Sequence, residues 1–589
     1  VINSVALFSE KSNGIHIDWD VPIVMSDGVT LRCDVFRPDA PGQYPVIMAL
    51  GPYGKWLSFQ DEVWGGQWKM LCAQEPEILK LSSNRFQNYE FADPERFVPD
   101  GYVLIRVDVR GTGRSPGVMD LLSRRETQDY YECIEWAAVQ PWCNQKVGLN
   151  GVSYLAMNQW QVSALRPPHL SAMCIWEGCS DFYREFYRHG GIHSLFGDLW
   201  YNKYVLPVQH GLGQRGWKSH INGHWVSGDA ELSDLELQAN RKDWRTFTRE
   251  NPLATDLYWL EREVDFKRIQ APLLSSANWG GQGLHLRGNV NGFLKASSKD
   301  KWLNFHCLEH WTEFYTSRGI ALQKKFFGHF LKGEDTGWGH EPKVMIQVRH
   351  PEKAVSLRSE ASWPPRSSRY HRLYLEPSTS RLTQAQVTSS QAVSYDSTGG
   401  GLTFLTEPMT EERTILGHPW TKLWVSSSTT DADLFLIVRV FAPDLREITF
   451  SGANDPHTPV AHGWLRMSSR RLKDTLSNSN SDVADLIPDY TNSHFEPLNP
   501  NEIYEVSVEI WPTCIVVPKG YRIGLSIRGN DYVYPGDLSA VTGKIGQPAT
   551  GVGPFRHDDL EDRPKTVFDN CVTLHSSAER LAYIDIPFV

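Results

Sequence analysis

The most constraining feature of the sequence is a short run without alternation, Pro45-Val46-Ile47-Met48-Ala49-Leu50. A strand with one wet face alternates apolar and polar side chains, so a run that is apolar throughout suits a strand buried on both faces. Covering both faces takes crossover helices, and the rest of the first half supplies that rhythm. Runs of strand character recur at 102–108, 146–151, 170–176, 271–276 and 301–306. The stretch from Glu126 to Val139 between them has helical spacing, with Tyr130, Ile134, Ala137 and Ala138 on one face. Strands alternating with helices predict a parallel sheet with helices on both sides. Ahead of it, Val29 to Phe36 alternates with period two and reads as a hairpin strand.

Two segments break the rhythm. Residues 180–266 are too long for an ordinary crossover and are rich in Trp, Tyr, His and Gly, which predicts a helical cap over one end of the sheet. From Thr312 to Gly333 a helix closes this part. After Pro342 short β-rich runs such as Leu434 to Phe441, Tyr504 to Trp511 and Tyr521 to Ile527 recur between Ser, Asn, Pro and Gly, which predicts an all-β sandwich of jelly-roll type. The expected division is therefore a core of residues 1–179 and 267–340, a cap of 180–266 and a β-sandwich of 341–589. A chain of 589 residues is long enough for two or three domains.

Composition excludes several classes. The net charge of −10 is mild for this length, and no basic stripe of the kind that binds nucleic acid is present. No stretch approaches the ~18 consecutive apolar residues of a membrane span, and Val1 to Glu10 lacks the pattern of a signal peptide. The nine cysteines are scattered with no Cys-x-x-Cys pair, so free thiols in a reducing, cytoplasmic setting are expected, with no metal site and no cofactor. The cap histidines (His189, His193, His210, His220, His224) lack metal-ligand spacing and read as surface or pocket residues. Asp108-Val109-Arg110-Gly111-Thr112-Gly113-Arg114 lacks the Gly-Lys-Ser/Thr ending of a phosphate loop.

The chemistry points to Ser153. Gly151-Val152-Ser153-Tyr154-Leu155-Ala156 follows a buried strand and precedes a helical stretch, so the serine sits on a sharp turn with its hydroxyl at the carboxyl end of the sheet. Leu155 stands where the second glycine of Gly-x-Ser-x-Gly is usual. Together with Asp108 to Ser115, Gly51-Pro52-Tyr53-Gly54-Lys55 and Gln140-Pro141-Trp142-Cys143-Asn144, this segment resembles the bacterial cocaine esterase and X-prolyl dipeptidyl-peptidase group of α/β-hydrolases over nearly the full chain. The resemblance implies an α/β-hydrolase core with a helical cap insertion and a C-terminal all-β jelly-roll domain. It implies Ser153 as nucleophile, and Tyr53 with the backbone N–H of Tyr154 as the oxyanion hole.

For the base, counting from the last core strand as in the group's Gly-Pro-Trp-x-His pattern gives His310 in His306-Cys307-Leu308-Glu309-His310, with His306 at the strand end as the alternative. The acid departs from the group: Asn278-Trp279-Gly280-Gly281 carries Gly281 where an Asp is expected. Loss of such a carboxylate costs turnover of order 10⁴. A carboxylate at the end of the preceding strand can reach the same histidine, which makes Glu177 the first choice, ahead of Asp181 and of Glu309, which would suit His306 better. The reading is a serine hydrolase cleaving an ester or amide bond of a small molecule through a Ser153 acyl-enzyme, with no nucleic-acid or membrane partner; self-association into a homo-oligomer stays open. Alternatives with the same machinery are an X-Pro dipeptidyl aminopeptidase and an acyltransferase or C–C hydrolase of secondary metabolism. An inactive hydrolase fold used for binding is the alternative of another class.

Overall fold

The computed structural model describes residues 6–352, 354–473, 487–538 and 549–589, so residues 1–5 of the N-terminal stretch read for a signal peptide lie outside it. The first half is built on an eleven-stranded sheet. Its first strands are β1 (Phe8–Ser12), β2 (Ile15–Val24), β3 (Thr30–Pro38), β4 (Tyr44–Gly51), β5 (Val103–Asp108), β6 (Cys143–Val152) and β7 (Leu170–Trp176). Leu273–Asn278, Lys301–His306, Val344–Arg349 and Val355–Glu360 complete it. The spatial order is β1-β2-β3-β5-β4-β6-β7, followed by those four in chain order. From β5 to Val344–Arg349 all neighbours are parallel, whereas the strands at either end pair antiparallel.

The unalternating run behaves as its composition requires: Val46 to Leu50 in β4 are each no more than 1% exposed. The helix Arg124–Ala138 lays Tyr130, Cys133, Ile134 and Ala137 on the sheet and is capped by Ser123, whose hydroxyl accepts the Glu126 N–H. The helix Tyr154–Ala164, directly after β6, is buried at every position. Chain order reverses at β4, which has β5 on one side and β6 on the other. The loops leaving β4 and β6 therefore part company at the carboxyl edge and open the crevice where ligands bind in such sheets. Tyr53 leaves from the first of these strands and Ser153 from the second.

The expected boundary after residue 340 falls short. Val344–Arg349 pairs parallel with Lys301–His306, and Val355–Glu360 pairs antiparallel with Val344–Arg349, so the core sheet runs on to Glu360. The change of texture after Pro342 registers the antiparallel edge of that sheet before it registers a new domain. From Arg369 onward the chain forms an all-β unit with a fourteen-stranded sheet around its own core, which includes Leu434, Leu436, Val438, Val508, Leu525 and Ile527. A separate apolar cluster joins the two halves: Trp279, Phe305 and Ile346 of the core meet Phe435, Trp464 and Trp511 of the β unit.

Between β7 and Leu273–Asn278 the chain forms turns, a two-stranded antiparallel ribbon (Arg188–His189 with Ile192–His193) and short helices, the longest α-helix being Trp244–Glu250 with seven residues. The two histidines that lead this segment are not surface residues. His189 and His193 are each 1% exposed. His189 Nδ1 lies 2.7 Å from His557 Nε2, and His193 Nδ1 lies 2.9 Å from Asp559, so both are tied to the β unit. Among the described residues no helix is long and apolar enough to cross a membrane.

Candidate active site

Ser153 sits between β6 and its helix with φ 59° and ψ −120°, a conformation that costs a non-glycine residue about 1–3 kcal/mol and persists only where the surroundings impose it. Here the neighbouring strand imposes it, since the Ser153 N–H donates to the carbonyls of Trp176 and Glu177, each at 3.1 Å. Gly151 is required one turn away, because a Cβ there would lie 2.5 Å from Leu155 Cβ and push the helix off the strand. The Tyr154 N–H belongs to the first turn of that helix and so has no intrahelical acceptor. Its side chain is pinned, with the hydroxyl donating to Glu126 at 2.7 Å and accepting the Leu122 N–H. Burial raises the Glu126 carboxyl to about 8.

Glu177 follows β7 directly and, like Ser153, has a positive φ, 46°. Its Oε2 lies 2.7 Å from His310 Nδ1. His306 Nε2 is 3.2 Å from Oε1, although without the alignment of a hydrogen bond, and Asn278 Nδ2 donates to the same oxygen at 3.3 Å. Burial works against the Glu177 carboxylate, but the His310 charge and the further contacts with His306 and His310 together outweigh it and hold the group down at about 2. Burial likewise works against protonated His310. The Glu177 carboxylate overcomes this with help from Glu90, and His310 is raised to about 9.

Glu90 was not anticipated. It is 1% exposed, has a positive φ of 61°, and its Oε1 lies 3.2 Å from His310 Nε2 while accepting the Trp311 indole N–H at 3.1 Å. His310 therefore stands between two carboxyl groups. Burial raises the Glu90 carboxyl from its ordinary range. Residues 52–102, the long connection between β4 and β5, carry Glu90 to the site. The length of that connection was the only sequence signal for it.

His285 was missed as well. Its Nε2 is 3.1 Å from Ser153 Oγ, its Nδ1 is 3.0 Å from the Cys179 amide nitrogen, and its ring stacks on His310 with centroids 5.3 Å apart. It stands just ahead of the helix Leu286–Lys295, past the glycine-rich turn that holds Gly281. An amide nitrogen only donates, so Nδ1 accepts and the ring proton resides on Nε2, facing the serine. Burial, then the neighbouring His310, press the His285 pKa well below the usual histidine range, so the ring is neutral.

Tyr53 is 5% exposed and edge-on to Trp64, Tyr89, Tyr154 and Trp200, and its hydroxyl accepts the Trp200 indole N–H at 3.1 Å. Burial, then the Glu90 charge, push its acidity far beyond reach, so the hydroxyl keeps its proton and remains a donor. The loop is anchored by Lys55, whose N–H donates to Asp108 Oδ1 at 2.7 Å and whose ammonium lies 2.9 Å from Asp20 and 3.4 Å from Asp34. Of the remaining candidates, Asp181 pairs with Arg184 at 2.8 Å and Glu309 accepts from Gln74 at 2.7 Å. Gly281 brings no carboxylate to the site; the carboxyl groups in contact with His310 are those of Glu177 and Glu90.

A serine on a strained strand-to-helix turn, with imidazoles, carboxylates and a tyrosine hydroxyl gathered at a sheet switch point, defines a serine hydrolase on an α/β-hydrolase core. The comparisons with known proteins agree. Residues 27–312 match the X-Pro dipeptidyl-peptidase (S15 family) model, and residues 336–536 match that of the X-Pro dipeptidyl-peptidase C-terminal non-catalytic domain. A solved CocE/NonD family hydrolase from Staphylococcus aureus is 30% identical with a TM-score of 0.81, covering 98% of this chain and 94% of its own. Cocaine esterase of Rhodococcus sp. is 25% identical, covering 87% of this chain and 90% of its own. A putative serine esterase of Mycobacterium tuberculosis is 23% identical over 86% and 90%. The chain belongs to the CocE/NonD family, within the cocaine esterase and X-Pro dipeptidyl-peptidase group of α/β-hydrolases.

Proposed function

We propose that Ser153 attacks the carbonyl of an ester or amide, His310 takes its proton, Glu177 orients His310, and Tyr53 with the Tyr154 N–H binds the oxyanion. The observation that carries the reading is the 2.7 Å contact between Glu177 and His310 Nδ1 beside the strained serine turn. A carboxylate on Nδ1 fixes the tautomer that leaves the Nε2 lone pair free for a proton, and it supports the imidazolium that forms. His285 touches the serine directly, but its proton already sits on Nε2 and it has no carboxylate, so it cannot serve as the base. In the resting site His310 Nε2 faces Glu90; acylation exchanges that partner for the serine hydroxyl. The short helices of 180–266 would act as a cap, and the β unit, as a jelly roll, would close the other side. Trp64, Tyr89 and Trp200 pack around Tyr53, with Tyr204 against Trp64 and Tyr89, which supports a substrate with a bulky apolar acyl or alcohol group.

Steady-state hydrolysis of p-nitrophenyl esters of increasing acyl length tests the assignment. Glu177→Gln should lower kcat by about 10⁴, whereas Asp181→Asn and Glu309→Gln should stay within a few-fold of the native enzyme. Equal losses in the three variants would remove Glu177 from the role.

A further inference from the structure

The direct contact between His285 and Ser153 has no part in the proton transfers just described. From its geometry we infer that His285 is a further catalytic residue, a fixed neutral donor to Ser153 Oγ that speeds breakdown of the acyl-enzyme. The inference rests on Ser153 as nucleophile and His310 as base.

Three observations converge on it. The Nε2–H is aimed at Oγ over 3.1 Å. The Cys179 N–H, 3.0 Å from Nδ1, holds the tautomer in place, because a proton on Nδ1 would set two donors against each other. The ring is 1% exposed and clamped against His310 at an interplanar angle of 10°, so the donor cannot swing away. A neutral donor with no carboxylate behind it does not move protons; it stabilises charge on the atom it faces.

That atom changes role through the cycle. In acylation Oγ is the nucleophile. A hydrogen bond to it stabilises the forming alkoxide but also weakens its attack, and the two effects oppose each other. In deacylation Oγ is the leaving atom. Water attacks the acyl carbon, forming the new C–O bond and giving one proton to His310 Nε2. The C–Oγ bond then breaks, its electron pair goes to Oγ, and Oγ takes the proton back from His310. Negative charge builds on Oγ during that cleavage, and the His285 N–H is already in place to meet it. The donor therefore favours deacylation.

The test separates the two half-reactions. Acylation is read as the rate of labelling by a fluorophosphonate and as the burst of p-nitrophenol from p-nitrophenyl butyrate. Deacylation is read as decay of the butyryl-enzyme by intact mass. In His285→Phe acylation should stay within about threefold, while deacylation should fall by about 10- to 100-fold and acyl-enzyme should accumulate. His285→Gln, whose amide can accept from Cys179 and donate to Oγ, should recover most of that loss. If the Phe variant does not fold, His285→Met removes the donor and is read in the same way. Deacylation within twofold of native in the donorless variant, or no recovery with Gln, overturns the inference while leaving His310 as base. If donorless variants lose acylation and His310→Phe keeps it, His285 is itself the base, and both the inference and the assignment of His310 fall.

Discussion

At the scale of single residues, the pairing of His310 with two carboxyl groups sets the pH dependence. A base must be neutral to accept a proton, so kcat/KM should rise with pH along a limb centred well above 6.5, at about 9. Glu90→Gln removes one of the supporting charges and should move that limb downward in a pH–rate profile; an unmoved limb would separate Glu90 from His310. The same groups tie stability to pH. His310 is raised from 6.5 to about 9, so its contribution is complete below about 6.5 and is lost as pH climbs through 9. Glu177 is lowered from 4.5 to about 2, so its contribution is present above 4.5 and is lost as pH falls through 2. Ser153 and Glu177 could be picked out in the sequence as candidates because each stands just past a strand whose apolar run is plain, and Tyr53 and His310 could be picked out through the family resemblance. Glu90 and His285 could not. One rides a long connection with no periodicity, and the other stands behind a glycine-rich turn whose path only the folded chain reveals.

At the scale of elements, what places Tyr53 is a buried charge cluster under the β4 loop. Lys55, with its side chain only 2% exposed, faces Asp20, Asp34 and Asp108. Removing one member of such a cluster leaves uncompensated buried charge, so Lys55→Met should destabilise the fold by about 3–5 kcal/mol in urea unfolding. A loss below about 1 kcal/mol would show that water reaches the cluster. Tyr53→Phe leaves this scaffold intact and should lower kcat by about 10²–10³ with little change in Tm. The contrast between the two variants separates the loop's anchor from its chemical end.

At the scale of the whole molecule, the core and the β unit form one body through the cluster of Trp279, Phe305, Trp464 and Trp511. The segment after β7 also meets the β unit closely at Gly190, which has φ 55° and where any Cβ would run into the Trp464 carbonyl. Gly190→Val should therefore destabilise by more than about 2 kcal/mol, with the near-UV dichroism of the cluster lost in the same transition. Hydrophobic patterning predicted both halves. It put their seam at residue 340, because an antiparallel edge strand and a sandwich strand look alike in sequence and differ only in which sheet they join. What this assembly is proposed to do is activate Ser153. Reaction with a fluorophosphonate followed by intact mass, for the native chain and Ser153→Ala, tests it most directly. A single adduct is expected on the native chain and none on the variant. A native chain that stays unlabelled while a known esterase reacts, or a variant that still labels, would contradict it.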